Sequence, residues 1–329
     1  MIIDMHCDLL DYLVTSPGRS PYDTESRCSL PFLREGGISL QICACFTDTK
    51  PGSGYIASEQ VVHYRKIQDP YVKTIYKDSS IILTKDKTAL MLAFENASGL
   101  CEENDNLKVL ETRLRAYADE FIIAYVGLMW NSDSRFGGGP FSKKGLTADG
   151  KVLIDLLVDL KIPIDFSHSS DQVFYDVVDY VEARHPQAQL LASHSNLRSI
   201  VTHPRNLTPE QVKILVKKGG LIGLNFLKSF LGKEFKSSLK RQIIELLELG
   251  AEDALCFGSD FFSCWFYGNR SLPEEIDVYH KGYGSSRCLS DVAEEIAVYL
   301  SPDLTQKIIA NNVIQFLTQR VPIKLQMTN

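Results

Sequence analysis

Eight short apolar runs recur along this sequence, and they constrain its fold more than any other feature. The runs cover residues 2–7, 38–47, 89–94, 121–128, 162–167, 189–193, 221–226 and 254–259. Continuous apolar runs of this length are typical of parallel strands that are buried on both faces. Because segments with helical spacing lie between them, the alternation favours one parallel barrel over two domains. Eight strands are the number that closes a (β/α)8, or TIM, barrel of the α/β class.

Predicted helices separate the runs. Apolar residues recur at intervals of three and four in the segments 107–119, 149–160, 171–183 and 237–249. Another helix is predicted to begin after Thr208, where a proline occupies the first helical position, and to end before Gly219. The tail from Thr305 is predicted to be a final packing helix. We therefore expect residues 1–329 to form a single domain.

Two long connections interrupt the alternation of predicted strands and helices, at residues 11–37 and 129–148. Each follows the carboxyl end of a predicted strand. In a barrel the loops at this end line the mouth and carry the groups that decide specificity. We expect both loops to shape the entrance to a site.

The composition excludes some classes of partner. A formal net charge of -6 at pH 7 leaves no basic surface for nucleic acid or an anionic membrane. No run approaches the roughly 20 apolar residues of a membrane helix, and the start lacks the pattern of a signal peptide. The eight cysteines include no Cys-x-x-Cys pair, as expected of free thiols in a reducing compartment. The sequence thus predicts a soluble, cytoplasmic protein.

Polar residues that can bind metal ions lie at the ends of several runs. These residues are His6, Asp8, Glu95, His168, His194 and Asp260. Residues i and i+2 of a strand point to the same face, so His6 and Asp8 can bind one ion. Because strand ends meet at the mouth of a barrel, His168 and His194 could bind a second ion, with Glu95 as the bridge. Mixed imidazole and carboxylate ligands suit zinc, with manganese or cobalt as alternatives.

The remaining histidines lack this context. His63, His185 and His280 do not end an apolar run, and we expect them at the surface. His203 precedes Pro204 in a predicted loop, and we expect it to have a structural role.

Longer motifs surround the candidate ligands. They are His6-x-Asp8, Asp165-Phe166-Ser167-His168-x-Ser170, Ser193-His194-Ser195-Asn196, His203-Pro204-Arg205-Asn206-Leu207 and Gly258-Ser259-Asp260-Phe261. In this order they resemble the motifs of the renal (membrane) dipeptidase family of zinc metallopeptidases, within the amidohydrolase superfamily. The likeness covers nearly the whole chain.

This resemblance implies roles for individual residues. It implies two zinc ions per chain, one on His6 and Asp8 and one on His168 and His194, with Glu95 bridging both. It also implies that Arg205 anchors the substrate carboxylate and that Asp260 contacts the substrate and a bridging hydroxide. Physical chemistry agrees, because a guanidinium forms a planar fork for a carboxylate. An aspartate beside a metal-bound water can pass its proton to the leaving amine.

The sequence departs from the family at Trp130. Many relatives have a histidine there, after the fourth strand. Tryptophan can donate one N–H but cannot become an imidazolium, so we interpret Trp130 as a substrate-binding residue that changes specificity. Phe262 is a second departure, because a small or acidic residue is more usual at that position.

The predicted function is therefore a binuclear zinc dipeptidase. Its substrates would be small dipeptides, hydrolysed through a hydroxide that bridges the metals, with Glu95 and Asp260 as the catalytic groups. One alternative is the same machinery acting on another small amide or lactone, such as an N-acyl amino acid. A second alternative, a catalytically silent binding protein, predicts a missing ligand, and none is missing. The resemblance also implies a homodimer.

Overall fold

The computed structural model of this protein describes residues 1–78, 81–263 and 278–325. Its centre contains eight parallel strands, numbered here in chain order. They are β1 Ile2–Cys7, β2 Ile38–Cys45, β3 Thr88–Phe94, β4 Ile123–Gly127, β5 Ile164–Asp165, β6 Leu190–Ala192, β7 Leu221–Leu224 and β8 Leu255–Phe257. Each strand coincides with one of the predicted runs to within a few residues.

The eight strands close into a barrel. Each strand pairs in parallel with the next one along the chain, from β1 to β8. β1 also pairs with β8, where Asp4 lies opposite Phe257. This last pairing leaves no open edge between the first and last strands of the ring. The predicted (β/α)8 fold is therefore confirmed.

Helices connect the strands, and most of them lie where the apolar spacing predicts. The described α-helices are Leu9–Val14, Leu30–Glu35, Ser53–Lys66, Leu107–Glu120, Ala148–Asp159, Asp171–Arg184, Pro209–Lys217, Lys228–Leu231, Phe235–Glu248, Leu289–Ala297, Pro302–Gln306 and Asn312–Thr318. The predicted start after Thr208 is confirmed by a capping box, in which the Thr208 hydroxyl accepts from the N–H of Gln211. Across the described ranges, none of the helices is both long enough and apolar enough to cross a membrane.

Three short strands were not predicted. Val72–Thr74 pairs with the beginning of β3, and Ile81–Leu83 pairs with Ile323–Leu325 outside the barrel. Each has only three residues, which is too few to give a periodic signal in the sequence.

The carboxyl-terminal packing helix is interrupted by a wider turn. Residues Lys307–Asn311 are π-helical, and the helix Asn312–Thr318 follows directly. The side chain of Asn312 is buried and donates hydrogen bonds to the carbonyls of Glu252 and Leu255, at the start of β8. These two bonds tie the end of the chain to the amino-terminal end of the barrel.

The prediction that His280 lies at the surface is wrong. Its side chain is buried, its Nε2 lies 3.0 Å from the carbonyl oxygen of Gly232, and its ring packs edge-on against Phe235. These contacts join segments that are distant in sequence, which explains why local context did not reveal them. His63 and His185 are partly exposed.

Candidate metal centre

The predicted ligand residues converge at the carboxyl end of the barrel. His6 belongs to β1, and Asp8 follows that strand as the N-cap of the helix Leu9–Val14. Glu95 follows β3 directly, and the other members of the group lie in the turns after β5, β6 and β8: His168, His194 and Asp260. All six residues are buried, with exposed fractions of 8% or less. The structure therefore brings together the ligand-type residues that the sequence singled out.

Glu95 lies between a pair of histidines, His168 and His194, and the single histidine His6. Its Oε1 is 2.7 Å from Nε2 of His168 and 3.6 Å from Nε2 of His194. Its Oε2 is 3.7 Å from Nε2 of His6. A carboxylate with one oxygen facing each group has the placement that a bridging ligand needs.

A second group of ligand atoms surrounds His6. Its Nε2 lies 3.6 Å from Oδ1 of Asp8 and 3.7 Å from Oδ1 of Asp260. Among the described residues, three of the buried polar atoms facing this centre have no hydrogen-bond partner: Nε2 of His6, Oδ1 of Asp8 and Oε2 of Glu95. Leaving buried polar atoms unpaired is costly. Carboxylate oxygens and imidazole nitrogens placed in this way are suitable ligands for a divalent cation.

Hydrogen bonds behind His6 fix its orientation. The Tyr125 hydroxyl donates to the carbonyl of Met5, at 2.9 Å, and lies 2.7 Å from Nδ1 of His6. Because its proton is already committed to Met5, the hydroxyl accepts from Nδ1. The hydrogen therefore sits on Nδ1, and Nε2 faces the centre, where it could bind an ion.

The other two histidines are held in the same way. Ser193 Oγ lies 2.6 Å from Oδ2 of Asp165, to which it donates, and 2.7 Å from Nδ1 of His194. The carboxamide oxygen of Asn131 lies 3.1 Å from Nδ1 of His168. Each acceptor places the hydrogen on Nδ1 and leaves Nε2 for an ion. Sequence reasoning did not assign these supporting roles, although Ser193 and Asp165 lie inside the motifs.

Two glycines leave room for this arrangement. A side chain at Gly223 or Gly258 would collide with the carbonyl oxygen of Ser193. The close approach of β7 and β8 to Ser193 therefore requires glycine at both positions.

The carboxylates of the centre resist ionisation. Burial, and then the charge of Asp8, raise the pKa of Glu95 well above its usual range. The same two causes raise the pKa of Asp260 to about 7, against the opposing effect of His6. Several buried carboxylates in one pocket disfavour one another's charged forms, and a bound cation would relieve this repulsion.

The histidines differ in their electrostatics. Burial lowers the pKa of His168 and His194 well below the usual range, and nearby Arg205 and His6 lower both further. Burial acts in the same direction on His6, but Glu95 and the neighbouring aspartates raise its pKa to about 10. A proton on Nε2 of His6 would occupy the position that a cation takes among these carboxylates.

Arg205 and Trp130 lie in the wall of the pocket above the centre. Nη2 of Arg205 is 3.1 Å from Nε2 of His168, and its guanidinium carbon is 5.4 Å from the ring centre of Phe230. Trp130 packs edge-on against Phe46, with 4.9 Å between ring centres, and lies 6.0 Å from the ring of His168. The pocket has a volume of about 70 Å³, and Asp8, Glu95 and Asp260 also line it.

Asp260 has an unusual backbone conformation. Its φ is 61°, in the left-handed region that a residue with a side chain rarely adopts. The Asp260 N–H donates to the carbonyl of His6, and the Tyr279 hydroxyl donates to the carbonyl of Asp260. The side-chain amide of Asn225 donates to Oδ2 at 2.8 Å. These bonds hold the carboxylate at the centre despite the strain. Phe262, the second departure, lines the same pocket.

The family model described as Membrane dipeptidase (Peptidase family M19) matches residues 1–319. The chain belongs to the membrane dipeptidase family. This membership confirms the resemblance seen in the motifs and makes the chain a metallodipeptidase, a hydrolase of the kind that the sequence predicts.

Curated relatives of this membrane dipeptidase family member come from bacteria and fungi. A protein from the pqqA 5′ region of Klebsiella pneumoniae is 33% identical over 208 residues, which span 58% of this chain and 70% of that protein. A protein from the PQQ-III 3′ region of Acinetobacter calcoaceticus is 30% identical over 200 residues, 58% of each chain. An uncharacterised dipeptidase of Schizosaccharomyces pombe is 23% identical over 264 residues, 72% of this chain and 61% of that protein. The chain thus spans less than two thirds of two of these relatives.

Solved structures share the fold. A metallo peptidase from Rhodobacter sphaeroides, liganded with a phosphinate mimic of the dipeptide L-Ala-D-Ala, has a TM-score of 0.76 at 20% identity, and 96% of this chain and 98% of that chain are covered. Dipeptidase AC, also a metallo peptidase, has a TM-score of 0.77 at 20% identity, with 96% and 97% covered. At this identity the likeness concerns the barrel and its strand order.

Proposed function

We propose that this chain hydrolyses dipeptides at a centre for two divalent ions, with zinc as the native metal. The observation that carries the proposal is the position of Glu95, whose Oε1 faces His168 and His194 and whose Oε2 faces His6. His6 and Asp8 would hold one ion and His168 and His194 the other, with Glu95 shared. Two such ions lower the pKa of water and polarise the carbonyl under attack.

The side chains around the centre have separate roles in this proposal. Arg205 binds the carboxylate of the dipeptide, because its buried Nη1 has no hydrogen-bond partner among the described residues. Because Arg205 lies beside His168, the carboxyl-terminal end of the substrate would lie on that side of the centre.

Asp260 moves the proton in this proposal. A carboxylate with a pKa near 7 can accept a proton from the attacking water and return it to the leaving amine. The hydrogen bond from Asn225 holds Oδ2, so Oδ1 is the oxygen that faces the reaction. Trp130 and Phe46 form one wall of the pocket.

The test combines a metal count with a substrate panel. The purified chain is analysed for bound metal and then assayed on dipeptides, an N-acetyl amino acid and a lactone, before and after chelation and zinc addition. We expect about two ions per chain and zinc-dependent cleavage of dipeptides. Cleavage of the N-acetyl amino acid or the lactone alone would favour the alternative substrates, and no cleavage by metal-loaded protein would favour a binding protein.

Three further properties belong to the same proposal: a single domain over the chain, a cytoplasmic location and a homodimer. Seven cysteines of the described ranges are buried free thiols, which supports a reducing compartment. Cys264 lies outside the described residues. Light scattering tests the dimer.

A further inference from the structure

A second cavity adjoins the metal centre. Phe46 and Trp130 line both the pocket over the centre and this cavity, so they separate the two spaces. Other residues around the cavity include Asp11, Tyr55 and Glu59. The exposed ring of Tyr55 lies among these lining residues. The metal centre therefore has a neighbouring space with aromatic and acidic walls.

Asp11 is an acidic residue of this cavity that lies close enough to Asp8 to sense its charge. It belongs to the helix Leu9–Val14, three residues after the ligand Asp8, and residues with this spacing lie on the same face of a helix. Within the described residues, no hydrogen bond or ion pair joins its carboxylate to a partner. Burial, and then the charge of Asp8, raise its pKa to about 8. Asp11 is thus a partly buried carboxylate that a cation would stabilise.

The cations of the same cavity are already engaged. Lys50 forms an ion pair with Asp48, at 2.9 Å. Arg19 lies over the ring of Tyr12, at 4.2 Å, and donates to the hydroxyl of Thr15. Neither gives Asp11 an ion pair, so its carboxyl group is left for a cationic ligand, which would favour its charged form.

The direction of the substrate follows from the proposed function. With the substrate carboxylate on Arg205 beside His168, the amino-terminal end points to the half of the centre formed by His6 and Asp8. A single carbon separates the α-ammonium from the scissile carbonyl, so the α-ammonium stays at the centre. Only a long side chain of the amino-terminal residue extends past Phe46 toward Asp11.

We propose that this cavity binds the side chain of the amino-terminal residue and that Asp11 selects a cationic side chain there, such as that of lysine or arginine. Phe46, Trp130 and Tyr55 supply aromatic rings along the path, and aromatic faces attract cations. The inference rests on the proposed dipeptidase function and on Arg205 as the carboxylate anchor.

The test compares two substrates of similar shape and different charge. Zinc-loaded full-length protein is assayed on Lys-Ala and on norleucyl-Ala, and the ratio of their kcat/KM values is the readout. We expect the wild type to favour Lys-Ala about tenfold or more, the scale of a hydrogen bond between charged groups. Asp11→Asn should reduce this ratio about tenfold, and Asp11→Glu should retain part of it. Asp179→Asn, which removes the same charge from an exposed helix position, is the matched control.

The possible outcomes distinguish failure of the proposed subsite from failure of the proposed dipeptidase function. A wild-type enzyme that cleaves Ala-Ala without any preference between Lys-Ala and norleucyl-Ala refutes the subsite and leaves the dipeptidase intact. An equal loss on both substrates in Asp11→Asn also refutes it, because the carboxylate would then act on the backbone of the substrate or on the fold. Zinc-loaded wild type that cleaves none of the three removes both proposals.

Discussion

Replacing Arg205 by lysine tests the anchor for the substrate carboxylate. Arg205 is only 4% exposed, and its Nη2 lies 3.1 Å from Nε2 of His168. Nη1 is buried without a hydrogen-bond partner among the described residues. Lysine keeps the charge but replaces the planar fork by a single ammonium, so Arg205→Lys removes one of the two hydrogen bonds that a carboxylate would accept.

The size of the effect follows from that bond. A hydrogen bond to a charged group contributes about 1.5–3 kcal/mol, which corresponds to a loss of about 10- to 150-fold in kcat/KM. Amidating the carboxyl group of the dipeptide removes the same interaction from the other side, so wild-type enzyme should lose a similar factor on the amide. Because both changes remove one contact, their effects should not add.

The assay is steady-state kinetics of wild type and Arg205→Lys on Ala-Ala and on its amide, in zinc-containing buffer. Melting temperatures of the two proteins serve as the control for folding. The reasoning about Arg205 fails if wild-type enzyme cleaves the amide as fast as the free acid. It also fails if the losses from the two changes multiply.

Three further predictions concern the centre and its wall. Glu95→Gln should lower the metal content from about two ions per chain toward one, because the amide cannot bridge as a carboxylate does; elemental analysis that finds one ion or none in active wild type would contradict the binuclear centre. Trp130→Phe should keep kcat within about tenfold and shift substrate preference, whereas a loss of about 100-fold with unchanged selectivity would identify its N–H as an oxyanion donor. Asn131→Leu should weaken zinc binding about 10- to 100-fold, measured by competition with a chelator, because His168 loses the acceptor that orients it; Asn131→Asp should retain tight binding, and equal affinities in all three proteins would exclude this role.

Much of the fold could be predicted because its strands are buried on both faces. β1 matches its predicted run exactly in length, since Ile2–Cys7 is apolar at most positions and has neighbours on both sides. β5 has two residues where the sequence predicts six, because only Ile164 and Asp165 lie in register with residues of both adjacent strands. Apolar residues indicate which segments are buried, whereas the bounds of a strand depend on its pairing with another segment.

The candidate site, like the fold, could be predicted only in part. Ligand-type residues could be recognised because strand ends are visible in the sequence and because a barrel collects them at one mouth. The groups behind them could not be assigned, since Tyr125 and Asn131 gain their roles only from the histidines that they contact. The burial of His280 escaped prediction for the same reason: its partner Gly232 lies far away in the sequence.

The pairing of β1 with β8 has a consequence for how the protein matures. His6 and Asp8 belong to the first strand and the helix after it, while Asp260 follows the last strand, so the centre joins segments roughly 250 residues apart. Such long-range contacts form late in folding, because closing a long loop costs entropy before any contact repays it. A nascent chain that ends before β8 would lack one of the two neighbours of β1 and the turn that carries Asp260. Zinc uptake should therefore coincide with closure of the barrel between β1 and β8. A refolding experiment with a fluorescent zinc indicator would measure when this closure occurs.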